Sequence, residues 1–471
     1  MKTSRALAHF NRALFACLLA AMAAAGTAHA DPSATGAPVA PVTADAASDT
    51  QADPVAVHAD DADAAPGAAR SDSLGGPDEP VSRLESIDER TTEKDSLFAF
   101  SPLGWLVEGT TNAKQAFYDA TRIKLGAVFA HVFQGLTDSI NGEDDLGAAT
   151  TMDLIAIWDL FNTGERSQAQ LVAHVQSRFD FGTTGPEELG GNSLGSIIGT
   201  ADTFSQYSQL FVTRNLYWRQ GSPETGWVYR LGKITPDAIL SSSPHLDSQS
   251  TFLPSGGTGP FAIALPDSGI GAIGGVFFGD RAAVAGLISD ANGDRTDWGD
   301  VGEGDLFKAV ELHVKVAPRT AKAPYSKLTF WHTDGTEKGN VVNAQAGPSG
   351  WGIFAMHQQE LSADGRWVGI LRYGHSFDDA AVYDDLAAAH LLLYEPRFLS
   401  RIKHDAIGAA FNWAQAPAKG SRSEYHLEVF YRFPLFPNVD TTVSYQSVIN
   451  PALTNDVDHA SVFSLRLRVA F

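Results

Sequence analysis

The chain has 471 residues, 44% of them hydrophobic, and carries 34 Lys and Arg against 55 Asp and Glu, a formal charge of −21. So acidic a composition excludes nucleic acid as a partner, because binding phosphates takes clustered Lys and Arg. The single cysteine, Cys17, lies near the start, so the rest of the chain has no disulfide, no thiolate metal site and no cysteine nucleophile.

Residues 1–30 have the pattern of a secretory signal. Lys2, Arg5 and Arg12 supply the positive region, Ala13–Ala25 the apolar core, and Ala28-His29-Ala30 a small-residue cleavage site, which predicts a mature chain starting at Asp31. The apolar core is too short to span a bilayer, which takes about 20 residues, and no later apolar run approaches that length. From Asp31 to Lys94 the chain is rich in Ala, Asp, Pro, Ser and Gly and has few large apolar residues to bury. Such a segment cannot offset its ordering entropy, so a disordered acidic tether is expected over 31–94. Residues 95–121, with Pro102–Val107 and then Asn112–Tyr118, suggest a short helical lead-in.

From Arg122 onward the apolar pattern has period two, with turn residues between segments. Ile123, Leu125, Ala127, Phe129 and Phe133 share a face opposite Lys124, Gly126 and Gln134. Leu171, Ala173, Val175, Phe179 and Phe181 oppose Gln170, His174, Gln176, Arg178 and Asp180. Val310, Leu312, Val314 and Val316 oppose Glu311, His313 and Lys315; Tyr425, Leu427, Val429, Tyr431 and Phe433 oppose Glu424, His426, Glu428 and Arg432. In the final segment Phe463, Leu465, Leu467, Val469 and Phe471 oppose Ser464, Arg466 and Arg468. One face suits lipid and the other water. About 16 such segments fit between residues 122 and 471, which predicts an all-β fold, a transmembrane antiparallel barrel of about 16 strands with a disordered N-terminal extension. An eight-stranded barrel has no room for so many long charged side chains, whereas 16–18 strands enclose an aqueous channel. The last strand, ending on Phe471, is expected to close the barrel against the first.

Strand parity sends Arg178, Arg219, Arg230, Arg372, His426, Glu428, Arg432 and Gln446 to the lumen, with Tyr217, Trp331 and Phe430 on the same side. A channel for sugars needs hydrogen-bonding groups beside aromatic planes, and Arg, Glu, amide and aromatic residues together offer them. These residues are equally apt as the wall charges of any water-filled barrel. Asp290, Asn292 and Asp294 have the alternate spacing of a calcium loop, but Arg295 stands where its glycine belongs and Val301 where its glutamate belongs, so a turn rich in Asx hydrogen bonds is the favoured reading and no cofactor is expected.

Several stretches resemble the OprB-type carbohydrate-selective porins: Asn215–Gln220 (NLYWRQ), Tyr229–Lys233 (YRLGK), Gly286–Asp294 (GLISDANGD) and Ile407–Pro417 (IGAAFNWAQAP). The C-terminal pattern is closer, in Glu428, Phe430, Tyr431, Arg432, Tyr445, Gln446, Asn450, Pro451 and Ala452. The resemblance covers 122–471 and implies a 16-stranded barrel in a Gram-negative outer membrane that passes mono- or small oligosaccharides passively as a homotrimer, its extension on the periplasmic side. The acidic tether and the glycine-rich stretch Ser255–Gly275 depart from that pattern, so no constriction residue carries over.

Three other functions compete. A non-selective diffusion porin would use the same charged lumen. A barrel hydrolase would need a Ser–His pair, but the sequence has no G-x-S-x-G elbow or H-E-x-x-H motif, and adjacent His375 and Ser376 fall on opposite strand faces. A structural barrel would use the tether to bind peptidoglycan.

Overall fold

The computed structural model describes residues 79–471 apart from 93–95, 99–103, 141, 163–166, 183, 202–203, 205–208, 223–224, 280, 300, 316–324, 336–346, 397–401, 403 and 418–420. The signal pattern, and the tether up to residue 78, lie outside the described residues.

Sixteen strands follow the period-two segments. They are β1 (Ile123–Leu136), β2 (Leu146–Phe161), β3 (Ala169–Asp180), β4 (Val212–Ser222), β5 (Trp227–Ile234), β6 (Gly269–Phe278), β7 (Ala282–Asp290) and β8 (Leu306–Lys315). The second half comprises β9 (Tyr325–Thr333), β10 (Gly350–Glu360), β11 (Trp367–Ser376), β12 (Asp385–Tyr394), β13 (Ala406–Gln415), β14 (Ser423–Phe436), β15 (Val439–Ile449) and β16 (His459–Ala470). Each pairs antiparallel with its sequence neighbour, and β16 pairs with β1, so the sheet is a closed all-β barrel. The register across the seam runs from Val128 opposite Ala470 to Leu136 opposite Val462. Closure leaves no strand edge for another chain to join.

The outer surface is apolar, with Leu154, Leu231, Val310, Phe330, Leu371, Val429 and Phe463 all exposed. Aromatic pairs band it at both ends: Trp227 stacks on Tyr229 and Tyr431 on Phe433 at one end, Trp351 on Phe377 at the other. Amphipathic rings favour the level of the lipid headgroups, so these bands mark a membrane-spanning height. Among the described residues no helix is long and apolar enough to cross a membrane.

The two ends of the barrel differ in their connections. At the end where β1 starts and β16 finishes, the links are short, as at Pro437 and Asn438 between β14 and β15, where Asn438 takes φ 65°. At the other end two links are long, residues 181–211 and 235–268, and both fold into the lumen.

Among the described residues, two helices precede β1. Within the stretch expected to be a disordered tether, Pro80–Thr92 forms a helix, here α1, seated inside the barrel. Glu79 caps it, its Oε2 accepting from Ser82 N at 3.0 Å, and Pro80 takes the first position, where its missing N–H costs nothing. The lead-in is a second helix, α2 (Gly104–Thr121), which runs directly into β1.

Candidate functional site: a lumen lined by two inward connections

The 235–268 connection crosses the barrel interior and is fastened to strands far apart around the wall. On one side Ser241 N donates to Glu311 Oε2 at 2.6 Å and Ser243 Oγ to Gln358 Oε1 at 2.6 Å. Further along, Arg466 donates to Ser248 O and Thr251 O, both at 2.8 Å, Arg432 to Ser250 O at 3.2 Å, and Leu253 N donates to both oxygens of Glu428 at 3.1 Å. Gln249 Nε2 donates to Asp153 Oδ2 at 2.8 Å on the far side. A loop carries a donor and an acceptor at every residue, and inside a barrel the wall must satisfy them. Its base is clamped by Asp267, which lies 3.0 Å from Arg214 Nη1 and 2.5 Å from Arg295 Nη2. Burial alone would raise the Asp267 carboxyl, but the two guanidiniums outweigh it and hold it below the usual range.

The 181–211 connection has one main fastening. Glu424 accepts from Ser196 Oγ at 2.5 Å, Ile197 N at 2.9 Å and Ile198 N at 3.2 Å, and from Ala452 N at 3.0 Å in the neighbouring β15–β16 link. Gln446 and Gln134 both donate to Thr200 O, at 3.0 and 3.3 Å. The two connections meet where Gly256 N donates to Ile198 O at 3.2 Å.

The residues that parity sends to the lumen take three kinds of position. Arg178 and Arg219 are half-buried on β3 and β4, donating to Gln176 at 2.9 Å and Gln170 at 2.6 Å. Arg372, Glu428, Phe430, Arg432 and Gln446 are buried against the inward connections. Arg372 donates to Gly257 O at 2.5 Å and Phe430 meets Phe252 edge-on with ring centroids 5.0 Å apart. His426 reaches Gln446 at 3.3 Å, and Arg230 faces Glu79 of the α1 cap at 3.6 Å. Direct sugar contact by these buried residues is therefore blocked as long as the connections stay docked. Sequence reasoning had Glu311, Glu424 and Arg466 on polar strand faces without listing them as site residues, and it missed Asp153 and Asp267. The signal for Glu424 and Arg466 was present, since both share the lumen parity of the residues it named.

Asp290 and Asp294 turn their oxygens on the local backbone, and Asn292 Nδ2 donates to Asp305 Oδ2 at 3.5 Å. Asp290 Oδ1 accepts from Asn292 N at 2.9 Å and Asp294 Oδ1 from Thr296 N at 2.6 Å, which is an Asx-turn arrangement. Among the described residues no group of three or more His, Cys, Asp or Glu is placed to hold a metal. His375 lies on the outer face, 2.9 Å from Asp385, while Ser376 is buried on the inner one.

His245, within the 235–268 connection, has Nδ1 2.7 Å from Tyr394 Oη, and burial lowers it to about 4. An imidazole held neutral this way costs stability as the unfolded loop takes up a proton first. The connection is therefore fully stable above the ordinary histidine pKa of about 6.5 and loosens as pH falls from there toward 4, losing about 3 kcal/mol over the window. We expect amide exchange of residues 241–253, corrected for intrinsic rate, to accelerate between pH 7 and pH 5 in the native chain and not in His245→Gln. Equal acceleration in both would assign the effect elsewhere.

Comparison with known proteins agrees with this geometry. Residues 319–471 match the carbohydrate-selective porin family, OprB. The OprB match covers β9 to β16, the half that includes Glu424, Glu428, Arg432 and Arg466. No curated protein matches the chain. Among solved structures, Pseudomonas putida OprB at high pH superposes with a TM-score of 0.62 at 13% identity, covering 80% of this chain and 99% of that one. The low-pH structure of the same OprB gives 0.50 at 10% identity, with 77% and 96% covered. At these identities the likeness is one of fold.

Proposed function

We propose that the chain is an outer-membrane channel for the facilitated diffusion of small carbohydrates. The observation that carries this reading is a closed 16-strand barrel whose lumen is narrowed by connections bearing hydroxyl, amide and charged groups, combined with the OprB family match over residues 319–471. A lumen of plain water passes any solute of suitable size, whereas one lined with donors, acceptors and ring planes exchanges a sugar's hydration for wall contacts. Arg178 and Arg219, half-buried and anchored through glutamines, are the described lumen arginines best placed to meet a passing sugar. Their planar forks present paired donors at the spacing of adjacent hydroxyls. The end with short links faces the periplasm in barrels of this kind, which supports a periplasmic position for the N-terminal extension.

Proteoliposomes loaded with the folded chain should swell faster in glucose than in a zwitterion of equal size. Equal swelling in both would reduce the protein to a non-selective pore.

A further inference from the structure

The α1 helix is not needed to complete the barrel, yet it is held inside by a specific set of contacts. Glu79 Oε1 accepts from Tyr217 Oη at 2.5 Å and lies 3.6 Å from Arg230 Nη2. Four residues on, Arg83 Nη1 donates to Asp153 Oδ2 at 2.9 Å and to Gln249 Oε1 at 2.5 Å. Leu84 and Ile87 lie over Gly126 of β1, where a Cβ would overlap the Leu84 side chain. The described apolar part of the helix is the single stripe Val81, Leu84 and Ile87, and a helix of this length is marginal by itself in water. Its place therefore depends on what the wall offers.

What the wall offers at Glu79 exceeds what Glu79 takes. Arg219 and Arg230 stand directly opposite each other on β4 and β5, both facing the lumen. Like charges in that register repel, so the pair requires an anion nearby. Arg230 is 2% exposed, and its Nη1 has no hydrogen-bond partner among the described residues; Arg219 Nε has none either. Only one oxygen of the Glu79 carboxylate faces Tyr217 and Arg230, because the other caps its own helix. Two guanidiniums with donors to spare, beside the Tyr217 hydroxyl, form a socket for a carboxylate, which an arginine fork can engage through two oxygens.

We propose that Tyr217, Arg219 and Arg230 form a carboxylate-binding site on the channel wall, that Glu79 is its internal occupant, and that a sugar acid entering the lumen competes for it and releases α1. The inference rests on the carbohydrate-channel reading and adds a charged substrate class to it. A sugar acid shifts the helix only through its differential affinity for the released state, in which both carboxylate oxygens can be engaged.

The test uses the full chain folded in detergent and in planar bilayers, with glucuronate, glucose and acetate as probes. Tryptic cleavage after Arg83, which is buried when α1 is docked, reports release. Cleavage of a protected bond follows the open population, so saturating glucuronate should speed it about tenfold while glucose and acetate leave it near its basal rate. In bilayers Glu79→Gln should raise the basal conductance and be blocked by lower glucuronate than the native chain, and Glu79→Gln with Arg230→Met should lose that block. Glucuronate acting no more strongly than glucose on the native chain would overturn the site without any variant having to fold. Acetate matching glucuronate at equal concentration would overturn its assignment to a sugar acid. Failure of glucose to permeate or block would instead count against the carbohydrate channel, so the two readings fail separately.

Discussion

Replacing Glu424 with alanine is expected to unfasten the 181–211 connection while leaving the barrel closed. Three backbone N–H groups and one hydroxyl converge on this carboxylate, from Ser196, Ile197, Ile198 and Ala452. Truncation leaves these donors facing a void, and each unsatisfied buried group costs about 1–3 kcal/mol, so the local loss is several kcal/mol. The strand ladder of β14 with β13 and β15 uses backbone groups only and does not depend on it. Amide exchange at Ile197, Ile198 and Ala452 should therefore rise by orders of magnitude, while the protein still migrates as a folded barrel in an unheated gel. Glu424→Gln, which keeps one acceptor oxygen, should fall between. Protection of those three amides unchanged in the alanine variant would show that Glu424 is not the fastening.

The largest change in transport should come from removing the 235–268 connection. Ile234 and Gly269 lie directly opposite each other at the ends of β5 and β6, so a two-residue Asn-Gly turn can join them without altering the register. The excised segment has almost no exposed residue, and Arg372, Arg432, Arg466, Glu311 and Glu428 would then face water in place of loop carbonyls and amides. A 16-strand barrel has room for an aqueous channel, and only the 181–211 connection and α1 would then narrow this one. Single-channel conductance should rise several-fold and any block by glucose should disappear. A conductance equal to that of the native chain would mean that this connection is not the constriction.

How far the sequence reveals this arrangement differs by element. The strands were legible because lipid on one side and water on the other impose period two, and the parity of the final segment placed Arg466 and Arg468 inward as the structure does. The fate of the inward charges was not legible, since an arginine lining open water and one holding a loop carbonyl occupy the same strand positions. The glycine-rich stretch from Ser255 also has a structural cause that pattern alone does not disclose. A Cβ on Gly256 would overlap Tyr383 Oη and one on Gly257 would crowd Asn412, so the loop presses its backbone against the wall. The α1 helix was the least legible part. Its described apolar residues are few, and composition assigns such a segment to disorder because it leaves out the cavity waiting to receive it.

Pairing of β1 with β16 has a consequence for assembly. Gln134 donates to Ser464 Oγ across a separation of 330 residues, and every rung beside it spans a comparable distance. Contacts between such remote positions form late, because the intervening chain must first surrender its freedom. The inward connections draw their anchors from strands on opposite arcs of the wall, Glu311 on one and Arg466 on another, which come within reach only as the sheet curls shut. Sealing the cylinder and furnishing its interior are thus a single cooperative event, and an unsealed sheet has no constriction to offer.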